Sequence, residues 1–286
     1  MPNGDEPLTR RILLLVALAW IGGLSNAAAQ PPQQPVVSPA PEHGEFFARS
    51  DFHLNAAWLG TVSSATSVPD AVKDQRFEWD TWWGGSIDVV DYVAGRLGVI
   101  IDYEAVLGGE FQPFDPNQSN YTLEVSGSAR AGPDTEVAAI FHHVSRHLSD
   151  RAKTRNPVAY NELGARLLHR VDFGQWTVDV DAEAGRTVEH AYVDYTWLGD
   201  LHLLARAPVS PRFGLFAHAV GHVVGVSGVV PDRGTQTGGM LETGVRIKGK
   251  GGAMELFVGF EKRFDADPLD RQAQHWALAG FRLLSR

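Results

Sequence analysis

The chain has 286 residues, a formal net charge of −9 and no cysteine. The negative charge argues against nucleic acid as a partner, because proteins that bind phosphate backbones carry a basic patch. The absence of cysteine excludes disulfides and a lipid anchor on an N-terminal cysteine, so stability must come from side-chain burial or from a closed hydrogen-bond network.

The first 29 residues are predicted to be a cleaved secretory signal peptide. Arg10 and Arg11 precede the apolar run ILLLVALAWIGGL, and the small residues Ala27–Ala29 follow it, as signal peptidase requires. The apolar run is too short to span a bilayer in the mature chain, so we expect cleavage after Ala29. Residues 30–44 are rich in proline and glutamine and show no hydrophobic period, and we predict that they form a disordered linker.

From about residue 50 onward the chain alternates between apolar and polar residues with a period of two, which indicates β-strands. In QWTVDVDAEA, for example, apolar side chains alternate with Asp179, Asp181 and Glu183. Most segments have ten or more residues, the length that a tilted strand needs to cross a membrane. We predict about twelve such segments, near residues 48–59, 76–92, 96–107, 120–131, 135–147, 160–172, 175–184, 190–206, 212–226, 237–249, 252–264 and 274–284.

The connections between these segments alternate in length. Short connections are predicted near 93–96, 132–134, 173–175 and 250–252, and long ones near 60–75, 108–119, 148–159, 229–236 and 265–273. Two connections fit this alternation less well, namely 207–212 on the short side and Gly185–Glu189 on the long side. Antiparallel strands with tight turns at one end and longer loops at the other are typical of outer-membrane barrels.

The two faces of the predicted strands differ in polarity. Carboxylates and guanidiniums such as Asp102, Glu124 and Arg166 occupy one phase, which we assign to the barrel lumen because lipid offers no hydrogen bonds. The apolar phase is assigned to lipid and includes the tryptophans Trp58, Trp79, Trp83, Trp176, Trp197 and Trp276. The sequence therefore predicts an all-β fold, a closed antiparallel transmembrane β-barrel of about 12 strands over residues 45–286.

Signal peptide, alternating strands and unequal loops together resemble a Gram-negative outer-membrane β-barrel protein. The resemblance implies an outer-membrane location, with outer-membrane lipids, lipopolysaccharide and the barrel assembly machinery as partners. Such chains often end on an aromatic residue, whereas here Phe281 lies five residues before the C-terminus. A scaffold or small-solute pore is the first function that this architecture suggests, and a salt-bridged interior would instead close the barrel.

The stretch FHHVSRHLSD, residues 141–150, carries most of the candidate chemistry. The alternation places His143 and Ser145 on the lipid side at the extracellular end of the fifth strand, and His142 and Arg146 in the lumen. Side chains two residues apart on a strand stand side by side, so an imidazole can polarise the serine hydroxyl. A polar rim at the strand end and a metal or ligand site remain alternatives.

The H-x-S pattern of His143 and Ser145 resembles that of outer-membrane lipid A deacylases, which hydrolyse acyl esters on the barrel exterior. The resemblance implies Ser145 as nucleophile, His143 as base and Glu162 as the orienting carboxylate, although alternation assigns Glu162 to the lumen. The longer pattern, His143-x-Ser145-x-His147-Leu148-x-Asp150, is similar to an uncharacterised outer-membrane barrel family. We expect no cofactor and no metal, because histidines four apart on one strand lie too far from each other for one ion. His218 and His222 share that spacing and are predicted to line the lumen.

Overall fold

The computed structural model describes residues 35–62, 74–149, 158–228, 233–269 and 271–285. None of these residues belongs to a helix that is long and apolar enough to span a membrane. They form twelve β-strands, as predicted: β1 (Glu45–Thr61), β2 (Trp79–Tyr92), β3 (Gly95–Gly108), β4 (Asp115–Gly132), β5 (Thr135–Leu148), β6 (Val158–Phe173), β7 (Trp176–Ala191), β8 (Tyr195–Pro208), β9 (Phe213–Val226), β10 (Gln236–Lys248), β11 (Ala253–Arg263) and β12 (Gln274–Leu284).

The sheet is closed. Each strand pairs antiparallel with its neighbours in sequence, and β1 also pairs with β12, from His53 opposite Leu284 to Thr61 opposite Trp276. A closed sheet leaves no edge of unpaired N–H and C=O groups, which is the condition for crossing a bilayer with strands. The predicted closed, all-β antiparallel barrel is therefore confirmed.

The alternation of polarity separates the two walls of the barrel as predicted. Charged side chains of one phase are buried inside, for example Asp102, Glu124 and Asp181. The opposite phase leaves large apolar side chains exposed on the outer wall, including Ile101, Leu123, Val137, Leu163, Leu201 and Val258. An outer wall of this kind is stable only against hydrocarbon, because water would leave a continuous apolar band exposed.

The connections at one end of the barrel are short, and those at the other end are longer except for the one between β7 and β8. We call these the turn end and the loop end. The predicted loop at Gly185–Glu189 is wrong: β7 continues through it to Ala191, and the connection to β8 contains only residues 192–194. Gly185 lies inside β7 and faces the lumen. A Cβ atom there would collide with the carboxylate of Glu162 on the neighbouring strand β6. The glycine thus accommodates a lumen side chain and does not end the strand.

The loop end of the interior is filled by apolar side chains. Trp276, predicted to face lipid, points inward and is only 1% exposed. Its ring lies 5.4 Å from that of Phe77, and the guanidinium of Arg263 lies 5.1 Å from its centre. The segment after β11 folds into this mouth of the barrel and buries Ala266 in the same cluster. Trp276 therefore packs in an apolar cluster inside the barrel. The prediction that it faces lipid was wrong because the interior is apolar at this end.

The chain before β1 enters the turn end of the lumen. Val37 and Ser38 are buried, and two lumen arginines bind this segment. Arg96 donates to the carbonyl of Val36 at 2.8 Å, and Arg130 donates to that of Ser38 at 3.4 Å. Residues 35–38 of the predicted linker therefore have defined contacts inside the barrel, whereas residues 30–34 lie outside the described part of the chain. Because backbone carbonyls accept these hydrogen bonds, the pattern of side chains in the sequence could not predict them.

Candidate active site

Strands β4 to β7 bring the predicted site residues to one patch of the outer wall near the loop end. His143 of β5 lies opposite Leu123 of β4 and Asn161 of β6, and Asn161 in turn lies opposite Glu189 of β7. Ser145 stands one outward-facing position further toward the loop end. The alternation that placed His143 and Ser145 on the lipid side agrees with this register.

Ser145 contacts an imidazole, although not the one that the H-x-S pattern suggested. Its Oγ lies 2.8 Å from Nε2 of His147, two residues further along the same face. His143 stands two residues before Ser145 on that face. A serine between two imidazoles on one strand can turn its hydroxyl toward either of them, because rotation about χ1 directs Oγ up or down the strand.

His143 is held by a hydrogen-bonded chain. Its Nδ1 lies 2.6 Å from Oδ1 of Asn161, and the Asn161 amide donates to Oε2 of Glu189 at 2.9 Å. A carboxylate only accepts hydrogen bonds, so the amide nitrogen must face Glu189 and the amide oxygen must face His143. Nδ1 of His143 is therefore the donor. In the neutral imidazole this leaves the lone pair on Nε2, the arrangement that a general base needs.

Glu162 lies on the other side of the wall. It is 2% exposed, points into the lumen and stands opposite His142, so it does not meet His143. The role implied for Glu162 by the resemblance to deacylases therefore has no geometric support, and the lumen assignment from alternation agrees with its position. Asn161, the preceding residue, holds the place beside His143. Asp150, the last residue of the quoted motif, lies outside the described residues.

Aromatic rings extend from the site around the outer wall toward β2. The imidazole of His147 meets the ring of Tyr121 edge-on with 5.7 Å between centres. Tyr121 packs against Tyr103 at 5.1 Å, and Tyr103 against Trp83 at 5.1 Å. Each contact between aromatic rings stabilises the structure by about 0.5–1.5 kcal/mol in addition to the burial of apolar area. These contacts therefore help to hold His147 in place.

The lumen behind the site contains a compact ion-pair network. His142 contacts Glu124 through Nε2 at 2.6 Å and Glu183 through Nδ1 at 3.1 Å. Arg166 bridges the same two carboxylates, with Nη2 at 2.7 Å from Glu124 and 2.6 Å from Glu183. Donor atoms of Glu124, His142 and Glu183 lie within 4.8 Å of one another, as a metal site would require. Both imidazole nitrogens of His142 already contact these carboxylates, however, and Arg166 bridges the same two acids, so the three groups have partners within the network.

Further ion pairs cross the lumen. Arg263 binds Glu104 and Glu261, each at 2.8 Å, and Arg282 binds Glu242 at 2.7 Å and Glu255 at 2.9 Å. His218 and His222 also point inward, as predicted. The interior retains a cavity of about 120 Å³ bordered by Tyr160, Glu162, Asp200 and His222, among others. A cavity of that size has room for several waters.

Comparison with known proteins identifies no family and no curated relative: no family model matches, and neither does any curated protein. Solved structures do match. They include outer membrane phospholipase A from Escherichia coli (13% identity, 82% of this chain and 92% of that chain covered, TM-score 0.48). LpxR from Salmonella typhimurium has 9% identity, with 82% and 99% covered and a TM-score of 0.46. An outer membrane channel from Pseudomonas putida F1 has 9% identity, with 90% and 99% covered and a TM-score of 0.49.

The closed sheet and its apolar outer wall decide the class. The protein is a transmembrane β-barrel. Enzymes and channels both occur among the barrels that it is similar to, at identities too low to choose between them. The activity of this barrel must therefore be argued from its own side chains.

Proposed function

We propose that this outer-membrane barrel is an acyl ester hydrolase that acts on lipids from its outer wall, with Ser145 as nucleophile and His143 as general base. The observation that carries the proposal is the chain His143–Asn161–Glu189 beside Ser145. A base whose second nitrogen is fixed by an acceptor is the arrangement that activates serine in unrelated hydrolases. The lipid side of the wall is where ester substrates in the bilayer reach such a site.

The chemistry follows from the residues. Ser145 Oγ turns toward His143, gives its proton to Nε2 and attacks the ester carbonyl carbon. The tetrahedral intermediate collapses, the alcohol leaves with the proton from His143, and the acyl group remains on Ser145. Water then attacks the acyl-serine with His143 again as base, which releases a fatty acid and restores the hydroxyl. In this account the hydrogen bond between Ser145 and His147 is present in the free enzyme and breaks when Oγ turns toward His143.

The many ion pairs that cross the lumen also support an enzyme over the small-solute pore. Ion pairs and the inward-folded segment around Ala266 occupy the described interior. A barrel whose interior is crossed by ion pairs supplies a rigid wall for a site on its outside. The pore reading remains the alternative, and conductance measurements distinguish it.

Hydrolysis tests the proposal directly. The full-length barrel, folded into vesicles that contain phospholipid or lipid A, should release fatty acid, measured by mass spectrometry. Ser145→Ala should reduce the rate by about 10³-fold or more, because it removes the attacking oxygen. Ser149→Ala is the matched control: Ser149 is a nearby serine whose hydroxyl lies 2.6 Å from that of Ser119, and its loss should leave the rate within about twofold of wild type.

Two results would overturn this assignment. One is the absence of fatty acid release from both lipids, and the other is release that Ser145→Ala does not reduce. Separate substitutions decide the base: His143→Asn should abolish activity, whereas His147→Asn should lower it several-fold at most. The reverse order would transfer the base function to His147.

We also infer that the protein reaches a Gram-negative outer membrane through the signal peptide predicted in residues 1–29. The mature chain should then begin at Gln30. N-terminal sequencing of the protein purified from outer membranes tests this inference, and an intact Met1 would contradict it.

A further inference from the structure

Arg186 of β7 is a charged residue on the lipid side of the wall. Its neighbour Gly185 faces the lumen, where a Cβ atom would meet Glu162, so Arg186 points outward, and its side chain is exposed. Within the described parts of the chain no carboxylate lies within ion-pair distance of its guanidinium. An unpaired cation on a membrane-facing wall is costly and rare, and it usually marks a functional contact.

The surface around Arg186 leaves room for a ligand. Arg186 lies opposite Leu163 on one side and Trp197 on the other. The indole of Trp197 lies over Gly225 of β9, on the side away from Arg186. The next outward-facing row toward the turn end has only small residues, namely Ala139, Ala165, Ala184 and Gly199. Arg186 therefore borders a row of small residues, and the side chains of Val223 and Trp197 lie at the Gly199 end of that row.

Arg186 is close to the candidate active site. Glu189 of the same strand ends the chain that holds His143, and β5 and β7 are separated only by β6. Arg186 lies in the row of Leu163 and Phe141, four residues along β5 from Ser145. About 13 Å along the strands and roughly 10 Å across two of them give a separation of about 16 Å. A single lipid can span that distance, so one molecule can touch both Arg186 and Ser145.

We propose that Arg186 binds the phosphate of an anionic outer-membrane lipid and so holds that lipid with an acyl ester at Ser145. Phosphate is the anion that membrane lipids offer at this wall. A guanidinium binds it through two parallel N–H···O hydrogen bonds, which fix orientation as well as position. The binding site stands on the position of Arg186 alone, whereas the orienting role rests on the proposed hydrolase function.

Lipid binding by inactive protein separates the two claims. In a Ser145→Ala background, lipid retained by the folded barrel is measured by native mass spectrometry with bisphosphorylated lipid A, dephosphorylated lipid A, phosphatidylglycerol and a neutral diacylglycerol. Arg186→Gln should weaken binding of the phosphate-bearing lipid by about tenfold, and Arg186→Lys should weaken it less. Lys262→Gln is the matched control, since Lys262 also lies on the outer wall, four strands away opposite His275, and it should change nothing.

The lipid arms identify the source of the phosphate. A loss confined to bisphosphorylated lipid A assigns the site to lipid A, a loss confined to phosphatidylglycerol assigns it to glycerophospholipid, and a loss with both supports a general phosphate site. Equal binding by Arg186→Gln and its parent, or equal binding of the lipids without phosphate, overturns the proposal. Because catalysis is absent throughout, a failure of the hydrolase proposal would not alter these outcomes.

Discussion

Ser145 is flanked on its strand face by two imidazoles that differ in their support. His143 is fixed through Asn161 and Glu189, whereas His147 has an aromatic neighbour in Tyr121 and a hydrogen bond to the serine itself. A base must keep one tautomer through the reaction, and an acceptor on the far nitrogen enforces it. This difference is the physical reason for assigning the base function to His143.

Asn161 should behave as a positioning residue. Asn161→Ala removes the acceptor at Nδ1 of His143, frees the tautomer and should lower kcat by about 10²-fold, with a smaller effect on KM. Asn161→Asp restores an acceptor and should recover much of the loss, while Glu189→Gln should cost only a few-fold. The measurement is fatty acid release from lipid vesicles across a range of substrate concentrations. An Asn161→Ala variant with unchanged kcat would remove Asn161 from the mechanism.

Part of this site was predictable from sequence, because a period of two fixes which wall a side chain faces. That rule places His143 and Ser145 outside and His142 and Glu162 inside. It does not give strand register, and so it cannot tell that Asn161 lies opposite His143. Glu189 was hidden for another reason, since its segment was interpreted as a loop.

At the scale of elements, β7 departs most from its prediction. Residues 185–189 were predicted to form a connection, whereas Gly185 pairs with Gly164 inside the strand and leaves space for Glu162. Other strands agree closely with prediction: β12 covers residues 274–284 in both, and β5 was predicted at 135–147 and ends one residue later. A long alternating run predicts a strand by itself. The structural role of a glycine inside it depends on the side chains of the neighbouring strand.

Gly185→Val should destabilise the barrel. The added side chain would displace the buried carboxylate of Glu162, and overpacking of this kind costs about 1–3 kcal/mol. The free energy of unfolding in urea, followed by the heat-modifiable shift on gels, should fall accordingly. Gly221→Val is the control, because a Cβ atom at Gly221 of β9 meets nothing within 4 Å. Equal stabilities for the two variants would contradict the packing account of Gly185.

At the scale of the whole molecule, ion pairs cross much of the described interior of the barrel, beside a cavity of about 120 Å³. The sequence did not distinguish a narrow pore from a closed barrel. It shows how many charged residues face the lumen but not which of them form ion pairs. Arg263 binds Asp80, which lies 183 residues earlier in the chain. Such a contact follows from closure of the sheet and from the stagger of its strands, and neither can be read from local sequence.

The ion pairs and the inward-folded segment inside the barrel predict low conductance. Wild-type barrel in a planar bilayer should show no stable open channel at moderate voltage. Arg146 donates to the carbonyls of Asp265 and Ala266, at 2.8 and 3.1 Å, and so holds the inward-folded segment. Arg146→Ala should therefore produce intermittent openings. Steady conductance of the wild type that Ser145→Ala leaves unchanged would favour the pore.

The position of Ser145 on the lipid-facing wall is the claim on which the functional account rests. The chain has no cysteine, so a nitroxide can be attached at a single introduced cysteine in vesicles, at Ser145→Cys and, for comparison, at its lumen-facing neighbour Val144→Cys. Collision rates with oxygen, which concentrates in lipid, and with a water-soluble nickel chelate distinguish the two walls. We expect oxygen to dominate at position 145 and to be low at position 144. Low oxygen accessibility at 145 together with high accessibility at 144 would contradict the account.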